Sequence, residues 1–342
     1  MIIYPDILID GDAIGVTAPS SGVLEKNRER LEHAISYKKQ LGYKVILGKC
    51  LHGCVKTRSA SADDRAKDFM DLVGNQNVKG IIPPWGGELL IEILRYLDYD
   101  QIKKNPTWVY GYSDVSMLLF SITVTTNVAS IHGLNLMDCI AEQSDPLSAG
   151  WRVPLNTNSS ESFTQRSSSS FQKEWGDFAI EPLRTFNLTE KTVWKSLKQK
   201  KREKFSGRLL GGCIDVLRSL VGTPYGDVPK FAKQFDEPLL FYFENCEISP
   251  LDQARALWSM RYAGWFDNVS GFLIGRTISQ DAKSEDDYSF LDSLQDALGD
   301  LNVPIIYDTD IGHVPPQLNL VNGAITSVIF EDGAGQVEQV YT

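Results

Sequence analysis

The sequence predicts an α/β protein: a doubly wound, mostly parallel first domain followed by a smaller, strand-rich α/β second domain. Three observations predict it. Short apolar or β-branched runs alternate with helical stretches through the first 130 or so residues, the pattern of a parallel sheet with crossover helices. The chain has 342 residues, more than the roughly 250 to 300 that one core ordinarily serves. Near the middle the composition turns polar and serine-rich, as connections between domains do. The expected division is a first domain over 1–150, a long connection over 151–205 and a second domain over 206–342.

Taken in order, "DAIGVTAPSS" reads as the first strand and "EKNRERLEHAISYKKQLG" as a helix that stops at Gly42. "YKVILG" is the next strand, "SADDRAKDFMDLVGN" the next helix, and "VKGIIPPWGG" a strand ending in a glycine turn. "ELLIEILRYLDYDQIKKN" predicts one further helix before the buried strand "TWVYG". Apolar residues at 115, 117, 118, 119, 122 and 124 then predict a buried helix from Val115 to Val124. In such sheets ligands bind beyond the carboxyl ends of the strands, which puts the "WGG" and "GYSD" turns in one crevice.

Past the connection, "GRLLGGCIDVLRSLVGTPYG" reads as glycines that permit close packing, followed by a helix; it carries neither a dinucleotide fingerprint nor a P-loop lysine. "EPLLFYFEN" is a strand ending near Glu244. A helix follows it with full start signals: Ser249 as cap, Pro250 as first residue and Asp252 as capping-box acid. "SGFLIGRT", "VPIIYDTDIGH" and "ITSVIFEDG" supply further strands.

A net charge of −10 argues against nucleic acid or an anionic membrane as principal partner. The basic run "KQKKREK" reads as solvated surface. The first residues show no basic segment ahead of an apolar core, and no apolar run approaches the about 18 residues of a membrane span. Five scattered cysteines, at 50, 54, 139, 213 and 246, suit reduced thiols in a cytoplasmic protein, and Cys50 with Cys54 alone makes no zinc site.

Ser113 lies between two apolar runs, on a tight strand-to-helix turn where a hydroxyl points outward beside unpaired N–H groups and the positive end of a helix dipole. The plainer reading makes Ser113 and Asp114 simple helix caps, since "GYSD" lacks the second glycine of G-x-S-x-G. Of the four histidines, His33 and His52 fall on surface segments and His132 reads as a structural hydrogen-bonding partner. His313 stands in a turn held by Gly312 and the Pro315-Pro316 pair, which suits a mounted reactive group or a turn histidine bonded to backbone. Glu244, at the end of an apolar strand, needs a partner, with Glu247 the competing acid. Ser113, Glu244 and His313 form a coherent nucleophile, acid and base set in that chain order. Trp175 and Trp194, in an otherwise polar connection, are expected to pack on the second domain, a partner subunit or a substrate.

"IIPPWGGELLIEILRYLDYDQIKKNPTWVYGYSD", "GRLLGGCIDVLRSLVGTPYGD", "FYFEN" and "DIGHVPPQ" resemble successive blocks of the LD-carboxypeptidase family, serine peptidases that include the microcin-immunity proteins. The resemblance spans most of the chain and is weak only over 141–205. It implies a catalytic triad on Ser113, Glu244 and His313, with the oxyanion received by the backbone N–H of Asp114 and of Gly86 or Gly87. It implies no metal and no cofactor. Many family members carry Arg-Gly-Gly where this chain has Trp85 before Gly86 and Gly87. With the tryptophan-bearing connection, that departure leans toward the microcin-immunity side, where an aromatic stacks on a nucleobase. Trp85, Trp175 and Trp194 are therefore the expected substrate-binding residues. The expected partners are a small peptide-like or aminoacyl-nucleotide substrate and a second copy of the chain. The competing readings are a non-catalytic peptide-binding module on the same fold and, for want of a fingerprint more weakly, a nucleotide-dependent oxidoreductase.

Overall fold

A computed structural model describes residues 1–342. The first sheet is built from β1 (Ala13–Val16), β2 (Lys44–Leu47), β3 (Val78–Ile81), β4 (Trp108–Gly111) and β5 (Ser130–His132), all paired in parallel. Helices α1 (Arg28–Gln40) and α2 (Ala62–Val73) cross between the first three strands. The order β5-β4-β3-β1-β2 reverses at β1, so the turns after β1 and β3 diverge there and leave a crevice at their carboxyl ends. β1 and β4 are buried along their whole length, as strands covered on both faces must be.

The stretch 89–106 is not one helix. A 3-10 segment, Leu90–Tyr96, stops at Leu97, and a short helix α3 (Tyr99–Lys104) restarts behind Asp98, whose carboxylate accepts the Gln101 N–H at 2.9 Å. A capping aspartate inside an apolar run wins over propensity there. Helix α4 (Val115–Thr126) buries every residue but Thr125, because the first sheet lies on one side of it and the second half of the chain on the other.

The connection supplies β6 (Ser162–Arg166), a small hairpin of β7 (Ser170–Phe171) with β8 (Glu190–Lys191), and β9 (Lys195–Ser196). The second sheet follows with β10 (Arg202–Cys213), β11 (Leu239–Glu244), β12 (Val269–Gly275) and β13 (Ile305–Thr309) in parallel. β14 (Leu320–Asn322) crosses back and pairs antiparallel with β5 in the first sheet, and β15 (Ile325–Glu331) and β16 (Ala334–Val340) return to the second. The second sheet's order is β6-β16-β15-β10-β11-β12-β13-β9, with β6 and β9 from the connection closing its two edges.

The "GRLLGG" stretch departs from its reading as a helix approach. It is the end of the twelve-residue strand β10, and beyond it stands only a single α-helical turn, Ile214–Leu217, continued by 3-10 turns at Arg218–Leu220 and Pro224–Gly226. Gly212 lies against Ser116 of α4, whose hydroxyl accepts the Cys213 N–H at 3.1 Å. One cluster of buried side chains runs from Ile14 in β1 through Phe120 in α4 to Phe241 and Trp265, with Phe120 and Trp265 stacked 5.1 Å apart. The two sheets thus share a core, and the carboxyl ends of β4, β11 and β13 meet at its edge.

Candidate active site

β4 ends at Gly111, and two residues later Ser113 adopts φ +64°, the left-handed region that a serine enters only at a cost of about 1 to 3 kcal/mol. A strained serine between a buried strand and a helix has the geometry of a nucleophile elbow. The capping reading fails, since Asp114 occupies the cap position in helical conformation and no side chain there takes a helix N–H. The Asp114 carboxylate instead accepts the Ser20 hydroxyl and the Leu90 N–H, tying the turn after β1 and the start of the 3-10 segment to the elbow.

Ser113 Oγ stands 3.0 Å from His313 Nε2, and His313 Nδ1 stands 2.8 Å from Glu244 Oε2. Glu244 is fully buried at the end of β11, and His313 follows β13 through Gly312 at φ +85°. A Cβ on Gly312 would come within 2.1 Å of Glu244 Cγ, so only glycine lets the histidine loop close onto the acid. Glu247, the competing acid, is exposed, and its backbone N–H goes to Asp215 at 2.7 Å. Burial pushes the Glu244 carboxyl up, but the His313 charge and hydrogen bond outweigh it and leave the group below its ordinary value. For His313, burial disfavours the imidazolium, yet Glu244, with a smaller contribution from Cys246, more than compensates and holds the ring's proton affinity well above the ordinary value.

The backbone N–H groups of Asp114, Gly86 and Gly87 have no acceptor within the protein. Gly86 flanks the serine: a Cβ there would sit 2.7 Å from Ser113 Oγ and 3.1 Å from Asp114 N. Gly87 turns toward Ser20 and Ser21 instead.

These groups open into a cavity of about 500 Å³, a size suited to a small ligand. Trp85 and Trp175 both line it. Trp85 Nε1 donates to the Ser21 carbonyl at 2.9 Å, and Trp175 Nε1 donates to the His313 carbonyl at 2.7 Å. Trp175 meets Phe178 and Phe186 edge to face. The Arg30 guanidinium lies 3.7 Å over the Phe178 ring and donates to the carbonyls of Pro182 and Arg184, which pins this part of the connection to the first domain.

Trp194 is not a ligand contact. It is 1% exposed, packs over Gly335 and donates to Asp310 at 2.8 Å. Asp310 is buried beside Arg276 at 2.6 Å and also accepts the Ser168 N–H at 3.0 Å, so this cluster anchors the loop that carries His313. Asp310→Ala leaves the Arg276 charge buried and unpaired, and urea unfolding of this variant is expected to show a loss of about 3 to 5 kcal/mol. Trp194→Phe removes one hydrogen bond donor and is expected to cost about 1 to 3 kcal/mol in the same measurement.

His132 differs from its expected role, because neither ring nitrogen has a partner. Burial pushes it down to about 4, so it is a neutral ring packed edge-on against Tyr112 and Tyr242. His33 and His52 are exposed. Asp138 escaped the sequence reading altogether. Burial, opposed by Arg30, pushes it up to about 6 on the cavity wall. Its only sequence signal is the three-residue spacing to Asn135, with which it forms a capping box.

The sequence profile of the LD-carboxypeptidase N-terminal domain matches residues 14–133, and that of the C-terminal domain matches residues 206–328. The chain belongs to the LD-carboxypeptidase family. Among its LD-carboxypeptidase relatives, a putative carboxypeptidase of Vibrio cholerae is 26% identical, with 98% of each chain covered. The microcin C7 self-immunity protein of Escherichia coli is 24% identical over 97% of this chain and 94% of its own. A probable murein peptide carboxypeptidase of Bacillus subtilis is 25% identical over 94% of this chain and 89% of its own. A solved microcin C7 self-immunity structure in complex with glutamyl sulfamoyl guanosine superposes with a TM-score of 0.83 at 22% identity, covering 98% of both chains. The LD-carboxypeptidase fold, two α/β bodies with a strand-rich second sheet, is therefore shared along the whole chain. No helix is long and apolar enough to cross a membrane.

Proposed function

We propose that this protein is a serine hydrolase that cleaves an amide bond near the C-terminal end of a small peptide-like substrate, with aminoacyl nucleotides as the favoured class. The observation that carries the reading is the line from Ser113 Oγ through His313 to Glu244, at 3.0 and 2.8 Å, at the mouth of an aromatic-walled cavity. With Nδ1 donating to Glu244, the neutral His313 ring presents the Nε2 lone pair to the serine hydroxyl. His313 takes the Ser113 proton as Oγ attacks the substrate carbonyl, and the N–H groups of Asp114 and Gly86 receive the oxyanion. The imidazolium gives its proton to the departing amine, and water, activated by the same ring, hydrolyses the acyl-enzyme. Glu244 holds the ring's tautomer and stabilises its charge.

One feature favours a nucleotide conjugate over a murein peptide. The residues lining the cavity include Trp85, Trp175 and Phe178 but no lysine or arginine, so they offer aromatic faces and no cation for a free carboxylate. Stacking on a nucleobase contributes about 1 to 3 kcal/mol per base. Trp175→Ala should therefore lower kcat/KM for an aminoacyl sulfamoyl adenosine by roughly 5- to 150-fold. Hydrolysis of a murein tetrapeptide should change far less. Equal losses on both substrates with a lower melting temperature would make Trp175 a packing anchor. A fluorophosphonate probe separates the enzyme from a binding module, since only an activated Ser113 becomes labelled.

A further inference from the structure

We propose that Cys213, Cys246 and His313 form an inhibitory binding site for a thiophilic divalent cation such as zinc, placed so that the ion removes His313 from its work as a base. The two sulfur atoms and a ring nitrogen of His313 all lie within 4.8 Å of one another. Around a tetrahedral zinc, bond lengths of about 2.3 Å to sulfur and 2.0 Å to nitrogen put neighbouring donors about 3.5 to 3.8 Å apart, so closure asks for movements of about 1 Å or less. Two thiolates and an imidazole are the donor set that selects such ions over magnesium or calcium.

The placement is built by the fold. Cys213 ends β10 and pairs in register with Glu244 at the end of β11, so Cys246 lies just beyond the neighbouring strand end. Asp215 then locks the Cys246 turn by accepting the N–H groups of Cys246, Glu247 and Ile248 at 3.2, 2.7 and 3.0 Å. Both thiols donate toward that carboxylate, at 3.5 Å for Cys213 and 3.8 Å for Cys246, which holds the two sulfur atoms side by side in the metal-free protein. A second, independent feature points to a ligand. Glu244 is fully buried, yet its Oε1 has no hydrogen-bond partner, and an approaching cation would satisfy it. Cys213 is buried and Cys246 is partly exposed, so an ion reaches the cluster from the Cys246 side. Binding releases the two thiol protons to solvent; an ion on Nε2 takes the lone pair that would accept the serine proton, and an ion on Nδ1 shifts the ring proton to Nε2, so on either nitrogen the base is lost.

The test uses the full chain after chelator treatment. Titration with zinc chloride should give one tightly bound ion per chain, and cobalt chloride should produce a thiolate-to-cobalt charge-transfer band. Cys246→Ser and Cys213→Ala should each weaken zinc binding by at least about 100-fold, beyond what loss of an outer partner costs, and abolish the band. Two variants at different depths keep the test open if one folds poorly, which thermal melting reports. With each protein normalised to its own metal-free rate, stoichiometric zinc should stop wild-type hydrolysis, chelator should restore it, and the variants should resist. The binding and spectroscopic readouts do not depend on the substrate assigned above, so they separate failure of this site from failure of that assignment. Equal zinc affinity in wild type and both variants, or a wild-type cobalt complex without the thiolate band, overturns the proposal.

Discussion

Ser113→Ala is expected to lower kcat by roughly 10⁴- to 10⁶-fold while leaving substrate binding and the melting temperature nearly unchanged, by analogy with other triad hydrolases. The hydroxyl makes one hydrogen bond, to His313, so its loss removes the nucleophile with little change in packing. Alanine also inherits the strained φ of +64°. Any small fall in stability is then attributable to the lost hydrogen bond rather than to the turn. His313→Ala should be comparably inactive, and the double variant little worse than either single one, because the two groups perform one proton transfer. Single-turnover kinetics on the aminoacyl nucleotide checks this through the acyl-enzyme burst, which should vanish in both single variants. Losses that multiply in the double variant would assign the two residues to separate steps.

The parts of this architecture that read directly from sequence are those governed by local pattern. β1 and β4 are apolar throughout because both their faces are covered, and the glycine that ends β4 and the serine ahead of α4 interrupt two apolar runs at a point where only a tight turn fits. That interruption marks Ser113 without any knowledge of the second domain. The illegible parts depend on partners far away in the chain. β10 looks like a glycine-broken approach to a helix, because the register that makes it a strand is set by β11 and β15. β14 is three residues long and joins the first sheet by pairing with β5, some 190 positions earlier. Trp175 and Trp194 are equivalent in sequence, both large aromatics in a polar connection. Only the three-dimensional packing separates them: Gly335 and Asp310 enclose Trp194, whereas Trp175 hangs from the His313 carbonyl into the cavity. Asp138 shows the same limit, since nothing in "NLMDC" reveals that its carboxyl is buried beside the cavity.

Glu244→Gln is expected to lower kcat by about 10⁴-fold, as loss of the orienting carboxylate does in other triads, and to move the acid limb of the rate profile in a determined direction. In the wild type, Glu244 holds the His313 proton affinity well above the ordinary imidazole value, against the opposing effect of burial. The base is competent only when neutral, so kcat/KM of the wild type should still be rising with pH above about 6.5, the ordinary histidine value. Glutamine keeps the shape but removes the charge. Burial then acts on His313 with only the smaller contribution of Cys246 opposing it, the imidazolium becomes harder to form, and the ring is neutral at lower pH. The acid limb of Glu244→Gln must therefore lie at lower pH than that of the wild type, even as its plateau falls. Two independent causes produce the two effects. The lower limb follows from the lost negative charge, and the lower plateau follows from a ring that no longer holds its Nδ1 proton toward an acceptor. A glutamate that merely supported the loop would lower the plateau without moving the limb, so kcat/KM profiles of both proteins from pH 5 to 9 decide between the two roles. Direct titration of the His313 ring by NMR in the Ser113→Ala background provides the second reading, with the Glu244→Gln change shifting the midpoint downward by the same interval as the kinetic limb.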